Sequence, residues 1–315
     1  FWYVMIASIL PPGRRWLLAD VLVLTGSAVA LDGMIGLAAG HNVIATEGVR
    51  RIAAVYPSPD NVALFLDRLA PLAAAVALFG VTPRRWWYAI GASVMLAAIL
   101  LTFSKGSWIA LIAACVVLGI RNRAAAIAAV IALVACAGAA LSLPFTRVRL
   151  LGATSMERVW VWRAALTMIR DHPLQGIGLD QFLYIYPKYR LPEAWREPFL
   201  SHPHNVFLDF WLRLGLAGIV WLGAVCSEIV RTFANVSQSL TTSDKVLAMG
   251  IVAGLTAALA HGLVDNSFFL PDLALIVWAY VALLDMLARP RPTQGPRGAD
   301  APTEALRELI PAPQA

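Results

Sequence analysis

Charge is scarce in this chain. Only 14% of its 315 residues are Asp, Glu, Lys or Arg, against 59% hydrophobic residues and a mean hydropathy of +0.70. Apolar surface on that scale cannot be hidden in a water-soluble core, so a soluble enzyme is excluded. Cysteine is scarce as well. Cys115, Cys136 and Cys226 sit in apolar runs without metal-ligand spacing, which excludes a disulfide scaffold and leaves them as small buried hydrophobes. The outer loops carry no Asp-x-Asp pair and no His/Cys cluster, so a bound metal is not expected. No internal repeat is evident, and no secretory cleavage pattern stands at the start. The chain opens at Phe1 inside an apolar run, without an initiator Met, so the expectation is a piece of a longer polypeptide lacking one or more N-terminal helices. The net charge of +6 does not signal nucleic acid, because the basic residues fall in short clusters between apolar runs and form no stripe.

Apolar runs supply most of the chain. Nine are read, at about 1–10, 16–39, 61–80, 86–103, 106–120, 124–143, 205–230, 246–264 and 271–288. Several of them approach the roughly 20 residues that cross a bilayer, and the first is too short to span alone. Arg14–Arg15, Arg84–Arg85, Arg121 with Arg123, Arg231 with Lys245, and Arg289 with Arg291 mark every second connection, which places those connections in the cytoplasm. The loops at 40–60, 104–106, 144–204 and around Asp265–Asn266 then lie outside. The expected architecture is all-α, a polytopic transmembrane bundle with a long outer loop. Its parts are membrane helices 1–143, the loop 144–204, membrane helices 205–288 and a disordered, Pro-rich cytoplasmic tail 289–315.

A loop of about 60 residues in such a protein is either functional or disordered. This one has helical pattern: Val159, Trp162, Leu166 and Ile169 recur at helix spacing, with Arg163 and Arg170 on a second face, as in an amphipathic helix on a membrane surface. Phe182, Tyr184, Tyr186 and Tyr189 follow, rings suited to the bilayer interface first and to sugar faces second. The loop ends in Ser201-His202-Pro203-His204-Asn205, and Gly215-Leu216-Ala217-Gly218 stands nine residues farther on. Ionisable groups at a membrane boundary are functional candidates. Two readings of His204 stand together: a general base, or a cap of the following helix in concert with Asn205. Gly215 and Gly218 are expected to permit close helix packing. Asp209 and Arg213, four apart, form an ion pair. Arg68, inside an apolar run, needs a carboxylate such as Asp67, Asp32 or Asp265, or else a phosphate. Asp265 itself either orients a cation or the histidine, or caps a helix end.

The His-Asn, nine residues, Gly-x-x-Gly arrangement resembles the signature of the O-antigen ligase superfamily. Arg51-Ile-Ala-Ala-Val-Tyr-Pro-Ser-Pro-Asp-Asn61 resembles that family's outer loop, and Thr102-Phe-Ser-Lys-Gly106 its Thr-x-Ser-Arg-Gly turn, with Lys105 in place of arginine. Glu157-Arg158 with Pro173–Gly178 is similar to the start of its large periplasmic loop, and His261-Gly-Leu-Val-Asp265 to a later outer turn. The resemblance spans roughly residues 45 to 285. It implies a bacterial inner-membrane glycosyltransferase whose site faces the periplasm. The donor would be an undecaprenyl-diphosphate-linked glycan and the acceptor lipid A-core, another glycolipid or a second glycan. Membrane lipid would surround it, nucleic acid would play no part, and the inverting reaction would need neither cofactor nor metal. His204 would be the catalytic base. Arg51, Lys105, Arg158 and Arg163 would bind the donor diphosphate, with His202, Asn205, Arg68 and Asp265 in support. Polymerase and protein O-oligosaccharyltransferase activities share the same motifs. A lipid-linked sugar transporter is the reading from another class, but it calls for repeats and midplane charges.

Overall fold

The computed structural model describes residues 1–41, 43–46, 49–142, 154–196, 198–265 and 268–289. Helices dominate them: α1 (Trp2–Ile9), α2 (Arg15–Ala39), α3 (Pro59–Phe79), α4 (Arg84–Thr102), α5 (Lys105–Leu118), α6 (Arg123–Ser142), α7 (Thr154–Asp171), α8 (Phe182–Tyr189), α9 (Val206–Ser239), α10 (Thr242–His261) and α11 (Pro271–Ala288). Among the described residues six helices, α2, α3, α4, α9, α10 and α11, are long and apolar enough to cross a membrane. The protein is a multi-pass, all-α membrane protein. The run 106–120 becomes the 14-residue α5, too short to span unaided. The 289–315 tail, apart from Arg289, lies outside the described residues, as do Asn266 and the stretch 143–153.

α3 and α10 form the centre. α3 starts cleanly because Ser58 caps it, accepting from Asn61 N at 3.2 Å, with Pro59 in the first turn and Asp60 near the positive helix end. It is buried almost all round. α10 approaches it closely where Gly250 meets Leu72 and Ala75, and Gly254 meets the carbonyl of Arg68; a side chain would be crowded at Gly250 and would collide at Gly254. At one end of the bundle, the arginine-marked connections meet: Arg15 pairs with Asp244 at 2.9 Å, and Arg84 with Asp20 at 3.2 Å. Lys105, His204 and Asp265 stand beside opposite helix ends, at the start of α5, the start of α9 and the end of α10, whereas Arg68 lies midway along α3.

Among the described residues one element, a hairpin, is not helical. β1 (Val43–Thr46) and β2 (Val49–Ile52) form an antiparallel hairpin in register Val43 to Ile52 and Thr46 to Val49. Ile52 is buried against α2 at Gly33. The outer loop has its own core, made by Val161, Ala164, Ala165, Met168 and Ile169 of α7 with Phe182 and Tyr186 of α8 and Leu212 of α9. The buried face of α7 is therefore turned from the one expected, and Leu166 is exposed. Phe182 and Tyr186 are buried in this core instead of anchoring in a bilayer, while Tyr184 is exposed.

α9 explains its glycines. Gly215 interrupts the helix at φ 66° and ψ −159°, a conformation open in practice to glycine alone. The break frees backbone groups that must find partners. Leu212 O accepts from Ile177 N at 2.7 Å and from Gly178 N at 3.2 Å, while Leu216 N donates to Leu174 O at 3.0 Å. A Cβ at Gly215 would overlap the Leu174 carbonyl, and one at Gly218 would overlap that of Phe210. These glycines thus serve a kink and its docking on the loop, not the packing of two straight helices.

Candidate functional site

The site is built where α9 begins. Asn205 is the N-cap: its Oδ1 accepts from Phe207 N at 3.0 Å and Leu208 N at 3.1 Å, and its Nδ2 donates to Leu263 O at 2.9 Å. Val206 N donates to Gly262 O at 2.6 Å. The entry of α9 is thereby stitched to the turn after α10. Because Asn205 does the capping, the side chain of His204 is released from that task. His204 has left-handed backbone, φ 51°, which turns its ring away from the helix end.

His204 Nδ1 donates to Asp265 Oδ1 at 2.9 Å. Arg158, from the first turns of α7, donates to the other oxygen, Asp265 Oδ2, at 3.2 Å. Trp162, one turn farther along α7, donates through its indole N–H to His204 O at 3.3 Å. Asp265 is 6% exposed. Burial by itself would raise its carboxyl, but the two neighbouring histidines and the Arg158 guanidinium outweigh it and hold the group well below the usual carboxylate range. The carboxylate fixes the His204 proton on Nδ1, which leaves Nε2 as the nitrogen able to accept one.

His202 packs beside His204, with ring centroids 4.3 Å apart. Its Nδ1 is 2.9 Å from Ser201 Oγ, and its Nε2 is 3.8 Å from Asp265 Oδ1, beyond hydrogen-bonding distance. His202, His204 and Asp265 place three ligand-type atoms within 4.8 Å of one another. Sequence spacing concealed this cluster, since Asp265 is distant in the chain. A divalent ion there would have to share the carboxylate with Arg158, so the donor set suits an imidazole, carboxylate and guanidinium chain better than a metal centre.

The remaining expected residues, Arg51, Lys105, Arg163 and Arg68, lie on β2, α5, α7 and α3. Arg51 is buried at 3% exposure; its Nε donates to Thr102 O at 2.5 Å and its Nη2 pairs with Asp60 Oδ1 at 2.9 Å. It ties β2 to the start of α3 and the end of α4. Lys105 is half-buried as the first residue of α5. Arg163 is exposed on α7. Arg68 is buried in α3, where it donates to Leu64 O and has Asp67 and Asp272 as its charged neighbours. Asp265 is not its partner, being engaged by His204 and Arg158, and Asp272 was missed because it follows a loop whose path the sequence does not reveal. The pair Arg213 to Asp209 forms as expected at 2.8 Å, and Arg213 also meets Asp180 of the loop.

Residues 90–223 match the family model described as O-antigen ligase. Over this stretch, less than half of the chain, the sequence is similar to the O-antigen ligase superfamily. Among curated proteins no relative matches it. The O-antigen ligase match begins in α4 and ends past the kink of α9, so it takes in Lys105, Arg158, Arg163, His202, His204 and Asn205. Arg51, Arg68 and Asp265 stand outside it, and the fold alone brings Asp265 to His204. Members of this superfamily are membrane glycosyltransferases of the ligase and polymerase type, acting on lipid-linked glycans.

Proposed function

We propose that the chain transfers a glycan from an undecaprenyl-diphosphate carrier to a hydroxyl of lipid A-core or a similar surface acceptor, at the periplasmic face of the bacterial inner membrane. The observation that carries this reading is the hydrogen-bonded chain Arg158, Asp265, His204, with Nε2 of His204 left to accept a proton. The acceptor O–H gives its proton to His204 Nε2 as its oxygen attacks the anomeric carbon. The bond from that carbon to the diphosphate oxygen breaks, and the electron pair leaves on the polyprenyl diphosphate. Attack opposite the leaving group inverts the anomeric centre. Asp265 stabilises the imidazolium that forms.

Cations are needed for the leaving diphosphate. Lys105 supplies one at the start of α5, where the helix end itself favours anions. Arg158 and the exposed Arg163 supply others on α7, and Arg51 braces the Lys105 turn through the Thr102 carbonyl. The periplasmic placement rests on the arginine pairs, which mark the opposite ends of the helices for the cytoplasm. A transporter would need ionisable groups at midplane along a path, whereas the His204 cluster stands at helix ends.

The test is transfer by purified protein supplied with lipid-linked glycan and, in separate reactions, lipid A-core, a second lipid-linked glycan and a peptide. The acceptor that is consumed separates ligase from polymerase and from protein glycosylation. His204→Asn is expected to fold, bind donor and lose transfer by about 10²–10⁴-fold. Near-normal turnover by His204→Asn overturns the assignment.

A further inference from the structure

A second polar cluster is buried where α3, α5 and α10 meet, and the proposed reaction does not use it. Asp67 of α3 is fully buried. Its Oδ2 accepts from His261 Nδ1 at 2.6 Å and from Ser107 Oγ at 2.9 Å, while its Oδ1 is buried with no hydrogen-bond partner. His261 and Ser107 are 1% and 2% exposed. The far edge of the His261 ring lies on Gly106, where any Cβ would overlap Cδ2 and Nε2. A group so polar among spanning helices is expensive to hold unless it has a task.

The chain path indicates the task. His261 is the last residue of α10, four before Asp265. Between them Val264 N donates to His261 O at 3.0 Å, Gly262 O accepts from Val206 N, and Leu263 O accepts from the Asn205 side chain. The turn that presents Asp265 is therefore fixed at its root by Asp67 and along its length by the segment that carries His204. The His261 ring is wedged between the Asp67 carboxylate and the Gly106 backbone, so the root has no room to rotate.

We propose that His261, clamped by Asp67 against Gly106, is a positioning residue that seats Asp265 on His204. As far as it concerns turnover, this rests on His204 acting as base. A purely structural role in core packing makes a different prediction, because it acts on the whole fold and not through Asp265.

A double-mutant cycle on the full chain separates the two. Transfer is measured for His261→Leu, Asp265→Asn and both together, each normalised to folded protein. His261→Leu is expected to lower kcat by about 10²-fold, as misplacing a catalytic group by an ångström does. In the Asp265→Asn background the same change should add less than roughly threefold, since residues acting through one another are not additive. Multiplicative losses overturn the proposal. His261→Gln, whose amide N–H still reaches for Asp67, should recover part of the loss, and Asp67→Asn serves in place of His261→Leu if that variant does not fold. A second arm is independent of turnover. With Cys115, Cys136 and Cys226 replaced, His204→Cys and Asp265→Cys are joined by a short bifunctional thiol reagent. Adding His261→Leu should slow the joining several-fold; an unchanged rate overturns the proposal. Full transfer by His204→Asn defeats the base assignment but not this second arm, so the two failures are distinguishable.

Discussion

Replacing Asp265 by asparagine tests the site most directly, because it keeps size and shape while removing one charge. In the folded protein the carboxylate is 2.9 Å from His204 Nδ1 and 3.2 Å from Arg158 Nη2. As His204 takes the acceptor proton, an imidazolium forms against that carboxylate. At 2.9 Å and an effective dielectric of about 20 the attraction is about 6 kcal/mol. The His204 side chain is 19% exposed, so solvent reduces the benefit. There is a second loss. If the asparagine carbonyl stays with Arg158, its amide N–H faces His204 Nδ1 and forces the ring proton onto Nε2, the nitrogen that must be unprotonated. The analogous change in a serine-protease triad costs about 10⁴-fold, so a fall in kcat of about 10²–10⁴-fold is expected here. The assay is initial-rate glycan transfer at saturating lipid-linked donor, from pH 5 to 9. The sign of the pH effect follows from the depressed carboxyl of Asp265. A carboxylate held low in the folded state adds stability above its unfolded pKa of about 3.9, and that stability is lost as pH falls through the depressed folded value. It stays ionised throughout the assay range, so titration of Asp265 itself adds no pH dependence to the parent's turnover. Acid denaturation below about pH 4 should be steeper for the parent protein than for the variant. A turnover within a few-fold of the parent would refute the relay.

Three further outcomes are expected. Lys105→Ala should raise the donor KM, whereas Lys105→Arg should retain or improve transfer because a guanidinium adds bidentate contact to the diphosphate; equal loss in both removes Lys105 from donor binding. Gly215→Ala should sharply reduce the yield of folded protein. Strain at that φ and ψ costs about 1–3 kcal/mol before the overlap with the Leu174 carbonyl is counted, and normal thermal stability in detergent would contradict the kink. Incubation with EDTA followed by gel filtration should leave transfer unchanged, and activity restored only by added divalent ion would convert His202, His204 and Asp265 into a metal centre.

The sequence by itself determined the class of the protein and most of its helices, because membrane insertion demands long apolar runs whose length and spacing are written locally. It also marked His204 and Asn205, since a polar pair entering an apolar helix is conspicuous in one dimension. Which of the two capped the helix was not legible: Asn205 and His204 are adjacent, and only the left-handed backbone at His204 sends one side chain to the helix end and the other to Asp265. The loop core was misread by about one residue of helix phase, because α7 has apolar residues on more than one face and its partners, α8 and the first turns of α9, are set by tertiary contact. Gly215 and Gly218 were visible, but their reason was not, since small residues serve a kink and a close packing alike. The tertiary structure decided the pairings across long sequence distance: Asp265 with His204 and Arg158, His261 with Asp67, and Arg51 with the Thr102 carbonyl. A buried charge takes the partner that the packing brings within reach. Packing depends on the order in which helices stack, which no local pattern records.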